Sequence, residues 1–276
     1  MQVLTSRRFL SFDLFMTQDL STLYLGLIGS TLAGLATGAG ALPILFIRQI
    51  TENTQGVMLG FGAGVMLAAT AFSLIIPGLE AAEAATQNQL YPASAVTFGI
   101  FLGAAFLWFS HQYFPHEHFF KGREGSDLVN LKRVWLFVTA ITIHNFPEGL
   151  AVGVGFGVGD IANGIALAIG IGLQNIPEGL VVALSLLAER YSKREAILIG
   201  FLTGMAEPIG GILGAATVSI SGAILPVAMG FAAGAMLFVI SDEIIPESNR
   251  LGYEKAGTIG LMVGFVLMMC LDVTLG

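Results

Sequence analysis

Charge is what this sequence has least of. Of its 276 residues only 11% are Asp, Glu, Lys or Arg, against 55% hydrophobic residues, and the mean hydropathy is +0.80. So little charge cannot cover the surface of a soluble globule, which excludes the usual water-soluble domain and points to lipid as the solvent. Cysteine is nearly absent as well. The lone Cys270 excludes an internal disulfide, and its place in the last apolar stretch predicts a buried thiol acting as a small hydrophobe. No HExxH motif occurs, so a metal hydrolase would have to be built on carboxylates. With 12 basic residues against 19 acidic ones, no nucleic-acid partner is expected.

What the chain does have is apolar runs. Eight stretches, near 22–47, 56–78, 93–114, 133–156, 163–188, 194–218, 223–246 and 256–275, are each long enough to cross a hydrocarbon core at about 20 residues per helix. Short loops join them, and the longest, 115–133, carries most of the loop charge. The expectation is one all-α integral membrane domain over 1–276, with about eight transmembrane helices.

Lys and Arg of short loops stay on the cytoplasmic side. Arg48, Lys121, Arg123, Lys132, Arg133, Arg190, Lys193, Arg194, Arg250 and Lys255 all fall on one face, and only Arg7 and Arg8 on the other. Both termini are therefore expected outside the cytoplasm and the 115–133 loop inside it, in a multi-pass protein of the cell (inner) membrane. Residues 1–21 are too polar to cross and are expected to lie along the interface. "SRRFL" in that segment faintly resembles a twin-arginine export signal, but Asp13, Gln18 and Asp19 occupy the place of its apolar core.

"GFGAGVML" at Gly60–Leu67 matches "GFAAGAML" at Gly230–Leu237, and each is followed by "IIP". The two spans involved cross in opposite senses, as in the inverted repeats of transporters with a midplane site. The plainer alternative is that helices rich in Gly and Ala resemble one another because small residues let helices approach.

The chemistry lies in "HNFPEG" at His144–Gly149 and "QNIPEG" at Gln174–Gly179. Residues four apart share a helix face, so His144 and Glu148 project together, as do Gln174 and Glu178. Pro147 frees the carbonyl of Ile143 and Pro177 that of Leu173, which is tolerated at membrane depth only inside protein or beside a wet cavity. "GMAEPIGG" adds Glu207 from the next span. Three unpaired mid-bilayer carboxylates would cost roughly 8–10 kcal/mol together. No Lys or Arg lies within these spans away from their ends, so a divalent metal ion fits as the compensating charge. Neutral, protonated carboxyls compete with that reading. Yet three acids, one His, two Asn and one Gln exceed what proton storage needs, and simple helix packing explains one such motif better than three.

"HNFPEGLAVGV", "QNIPEGLVVAL" and "GMAEPIGG" on consecutive spans resemble the ZIP (Zrt/Irt-like) divalent metal transporters, and the likeness extends over the whole eight-span layout. The resemblance implies a 3+2+3 arrangement, the first three spans repeated inverted by the last three, and a homodimer. It implies a binuclear site, with one metal on His144, Glu148, Gln174 and Glu178, a second on Asn145, Asn175 and Glu207, and Glu148 and Glu178 bridging. The ion is cargo, with no catalytic cofactor. The commonest pattern has His where Gln174 stands, which leaves the choice among zinc, iron, manganese and cadmium open.

The resemblance also implies transport toward the cytoplasm by alternating access, with an elevator-like shift of the site bundle against a scaffold containing spans two and seven. Small-residue faces on those two spans would allow sliding. Candidate outer stations are Glu80 and Asp272, and candidate inner ones are Asp242 and Glu243, with His111, His116, Glu117 and His118 of "HQYFPHEH" receiving metal in the cytoplasmic loop. His144 is expected to be the only histidine deep in a span, and Ser73 and Met66 are expected to pack. The other readings are a channel-like facilitator, an intramembrane metal-dependent enzyme and a metal sensor.

Overall fold

The computed structural model describes residues 2–47, 49–113, 116–118, 122–124, 133–157, 161–248 and 254–275. Among them, seven helical stretches are long and apolar enough to cross a bilayer. They are span one (Ser21–Leu45), span two (Glu52–Ala85), span three (Leu90–Tyr113), span five (Ile161–Ala188), span six (Lys193–Ile220), span seven (Gly222–Ser248) and span eight (Glu254–Leu275). The helix Arg133–Gly155, span four, is 23 residues, about 34 Å at 1.5 Å per residue, and carries the first motif. The protein is an all-α integral membrane protein.

Local chemistry sets the helix ends. The Thr51 hydroxyl accepts from the Thr54 N–H to open span two. At the start of span six, Ser192 and Glu195 cap each other's backbone N–H. The helix of span one runs back to Gln2 without a break at residue 21, so the expected separate segment 1–21 is continuous with it in backbone. The long loop contains an antiparallel pair, His116–His118 with Gly122–Glu124.

The helices pair two by two. Span two packs chiefly on span eight and span three on span seven; span four packs on span six and span one on span five. This yields one group of spans two, three, seven and eight and another of one, four, five and six, meeting where spans two, seven and eight face four and five. The seam is largely apolar: Met66, Leu74, Met236, Val239 and Ile240 of the first group share one core with Ala151, Val152, Leu167 and Ile171 of the second.

Small residues set the spacing within each group. A Cβ on Gly60 or Gly64 would strike the backbone of span eight at Gly257 or Leu261, and one on Gly234 would strike Ile100 of span three. The expectation that the small faces of spans two and seven serve for sliding is corrected at these positions, because the glycines close the helix pairs inside one group. Gly62 alone among these motif glycines looks across the seam, toward the Gln174 side chain.

Two spans depart from α-helix at matching places. Residues Ala69–Ile75 of span two and Ile240–Ile244 of span seven form wide π turns, each immediately before a proline-containing α segment. Extra residues in a helix turn bulge its backbone, a distortion common at functional sites. Cys270 proves exposed on span eight, not buried as expected, because Gly264 and Met268 define the inward face of that helix.

Candidate metal centre

Pro147 and Pro177 both lie inside continuous helices. Span six does break: its helix ends at Gly204 and restarts at Ala206. Pro208 cannot donate to the carbonyl of Gly204 four residues back, which is why the break falls there. Glu207 thereby sits in the first turn of a new helix, where unpaired N–H groups and the helix dipole favour a carboxylate.

The closing glycine of each motif fixes a neighbour. A Cβ on Gly149 would collide with the backbone carbonyl of Glu207, and one on Gly179 with that of Thr37. Span six can therefore lie against span four, and span one against span five, only because these residues lack side chains. Gly149 brings Glu207 beside the first motif.

All seven expected ligands, His144, Asn145, Glu148, Gln174, Asn175, Glu178 and Glu207, are buried, with Glu148 and Glu207 fully enclosed. Glu178 and Glu207 both lie near enough to Glu148 to repel its charge. A network of amides links the two halves. Gln174 Nε2 donates to Asn175 Oδ1 at 2.7 Å, while Asn175 Nδ2 donates to Glu207 Oε1 at 2.6 Å and to the Ala33 carbonyl at 2.9 Å. Gln174 lies beside Glu148, and Thr37 beside Glu207, without reaching hydrogen-bond geometry.

Oxygen is left over. Both carboxylate oxygens of Glu148, Oε2 of Glu178, Oε2 of Glu207, Oε1 of Gln174 and Oδ1 of Asn145 are buried without a hydrogen-bond donor. Burying so many acceptors unsatisfied is costly, and a cation is the partner that satisfies several oxygens at once. The donor set of carboxylates, amides and one imidazole suits a divalent transition metal.

A second grouping adjoins the first. His144 Nε2 is 2.6 Å from Glu243 Oε2, and His111 Nε2 is 3.1 Å from Glu243 Oε1. One ligand atom from each of His111, His144 and Glu243 falls within 4.8 Å of the others, and all three residues are buried. Two imidazoles and a carboxylate form a zinc-type set. Among the described residues this is the only trio of His and carboxylate ligand atoms that closes in this way, and it includes His144 of the first motif.

Two expectations about histidine are corrected. His111 lies in the last turn of span three, not in a solvated loop, and His144 is not the only histidine deep in a span. The apolar run before "HQYFPHEH" extends through His111, and that signal was readable. Asp242 is half-buried, 4.0 Å from His111. Asp272 accepts from the Ser73 hydroxyl at 2.6 Å, which gives Ser73 a polar role beyond packing, whereas Met66 is buried in the core as expected. Glu80 is exposed on the surface of span two. The side chains of His116, Glu117 and His118 lie outside the described residues, as do Arg48, Lys121, Lys132 and Arg250 and the side chains of residues 1–20.

Residues 116–272 match the family model described as ZIP zinc transporter. The chain belongs to the ZIP family. Zinc transporter GufA of Myxococcus xanthus is 47% identical over 251 residues, 91% of this chain and 99% of that protein. Zinc transporter ZIPB of Bordetella bronchiseptica is 45% identical over 249 residues, covering 90% of this chain and 81% of its own length. Human zinc transporter ZIP11 is 32% identical over 342 residues, with 95% of this chain and all of that protein covered. The trio of His111, His144 and Glu243 shares His144 with the first of the two tandem motifs.

Proposed function

We infer that this ZIP chain moves divalent transition-metal ions, zinc foremost, across the membrane, and that it is a transporter and not an enzyme. The observation that carries the reading is a buried set of ligands, Glu148 and Glu178 of the tandem motifs together with the trio of His144, Glu243 and His111, in which His144 belongs to both. A structural ion would need one closed site, whereas a passenger needs neighbouring sites that share a ligand, and His144 is that ligand.

The finer reading has two metals. His144, Glu148, Gln174 and Glu178 hold one, Asn145, Asn175 and Glu207 hold the other, and Glu148 and Glu178 bridge them. The unsatisfied oxygens support this assignment. Asn175 has to release Glu207 and the Ala33 carbonyl to turn its oxygen to an ion. Glu80 and Asp272 serve the outer mouth, and Asp242, Glu243, His116 and His118 the inner one. Iron, manganese and cadmium are the alternative cargoes.

Alternating access fits an inverted 3+2+3 arrangement. Exchanging spans one, two and three with six, seven and eight, and four with five, turns the two–eight pair into seven–three and the four–six pair into five–one, which are the pairings present. The π turns before Pro77 and Pro246 fall at corresponding places. In this reading spans one, four, five and six carry metal past a scaffold of the other four, inward across the cell membrane, with both termini outside. The homodimer rests on the family resemblance.

The experiment is zinc uptake into proteoliposomes holding the purified chain, with an impermeant zinc-sensitive dye inside, beside the Glu148→Gln, Glu178→Gln double variant. Saturable uptake lost in the double variant is expected. Equal uptake by both proteins would reject the site, and non-saturating flux would favour a channel.

A further inference from the structure

Asn163 is a buried amide in the first turn of span five, eleven residues from the nearest motif and outside any metal site. Its Nδ2 donates to the Ser73 carbonyl of span two at 3.1 Å and reaches the Gly155 carbonyl at the end of span four at 3.5 Å. One side chain thus joins the two site-bearing helices to the other group.

The acceptor is not an ordinary helix carbonyl. Ser73 lies in the π turn, where the ordinary four-residue ladder is broken and the Ile76 N–H pairs with the Ala71 carbonyl five residues back. Asn163 donates to it across the seam. The Ser73 hydroxyl in turn holds Asp272 of span eight. A polar chain of Asn163, Ser73 and Asp272 therefore crosses an otherwise apolar seam near the membrane face that bears the chain termini. At the opposite end of the seam, the other π turn supplies Glu243, which meets His144 of span four.

We propose that Asn163 is a positioning residue for transport, a latch whose bond to the Ser73 carbonyl holds the site-bearing helices against the scaffold at the end of the seam nearest the termini. This rests on the alternating-access reading. Apolar side chains can slide past one another at small cost, whereas a buried amide is satisfied only in register, and leaving it unpaired costs about 1–3 kcal/mol. The latch sets how readily the helices part, without touching the metal.

The test uses the Cys270→Ser chain carrying Ser73→Cys, which leaves the backbone acceptor in place. The rate of labelling by a membrane-impermeant thiol reagent is measured in proteoliposomes with and without zinc. Asn163→Ala and the similarly sized Asn163→Leu each remove the donor, Asn163→Gln keeps it, and Asn163→Leu alone carries the test if the alanine variant does not fold. Expected are labelling at least about threefold faster in Ala and Leu, partial return in Gln, a changed maximal uptake rate, and unchanged equilibrium zinc binding. Folded variants that label and transport like the parent, in a parent whose labelling does respond to zinc, would overturn the latch alone. A parent whose labelling ignores zinc would overturn the sliding reading and the latch with it.

Discussion

Glu243 Oε2 stands 2.6 Å from His144 Nε2, and its other oxygen stands 3.1 Å from His111. A single carboxylate on span seven therefore touches one histidine of the first motif and another from span three. Under the proposed function, metal passes from the motif carboxylates to Glu243 as the His144 imidazole changes partners. Glu243→Ala is expected to leave zinc bound at Glu148 and Glu178 but to slow its exit. Stopped-flow uptake should show maximal rate reduced about tenfold, with bound zinc per chain falling by at most the one ion the trio could hold. Unaltered rate would exclude the trio from the path.

Glu148 and Glu178 are buried with oxygens that lack donors, and under the proposed function their charges serve the ion. Removing one partner of a buried charge pair costs about 3–5 kcal/mol, which corresponds to roughly a hundredfold or more in affinity. Glu148→Gln or Glu178→Gln should each reduce zinc binding by that order and abolish measurable uptake. Glu207→Gln, already half engaged by Asn175, should weaken one of two ions and leave partial transport. Competition with a zinc-sensitive chelator measures all three.

Gly149 faces the backbone carbonyl of Glu207, and Gly179 that of Thr37. Gly149→Ala or Gly179→Ala forces these helix pairs apart, and overpacking of this kind costs about 1–3 kcal/mol. Thermal unfolding in detergent should start several degrees lower, with zinc uptake lost because Glu207 is displaced in the first variant and span one is pushed off the second motif in the other. Gly222→Ala, where an added Cβ meets open space, should leave both unchanged.

Ligand binding stabilises the folded state in proportion to its saturation. Zinc at a hundred times its dissociation constant should add about 2.7 kcal/mol. The unfolding temperature should rise with zinc and return with EDTA. The Glu148→Gln, Glu178→Gln variant should show a markedly smaller rise.

Composition alone determined that lipid is the solvent, since so little charge cannot form a water-facing surface, and the spacing of apolar runs located the spans to within a few residues, except that span two runs on to Ala85. The tandem motifs named the buried ligands, because a carboxylate four residues from a polar group amid apolar residues has few other reasons to be there. The break in span six was written in Pro208. The role of Gly149 was not legible, because a missing side chain signals close approach without saying to what.

Glu243 and His111 read as features of a helix end and a loop respectively, since each is ordinary in its local sequence. Only the packing of span three on span seven, and of span seven against span four, brought them onto His144. The same holds for Asn163, ninety residues from the carbonyl it serves. Sequence periodicity fixes which residues share a helix face. Which faces meet is decided by contacts between distant segments, here by glycines that let particular backbones touch, and these assembled the ligand series and the seam.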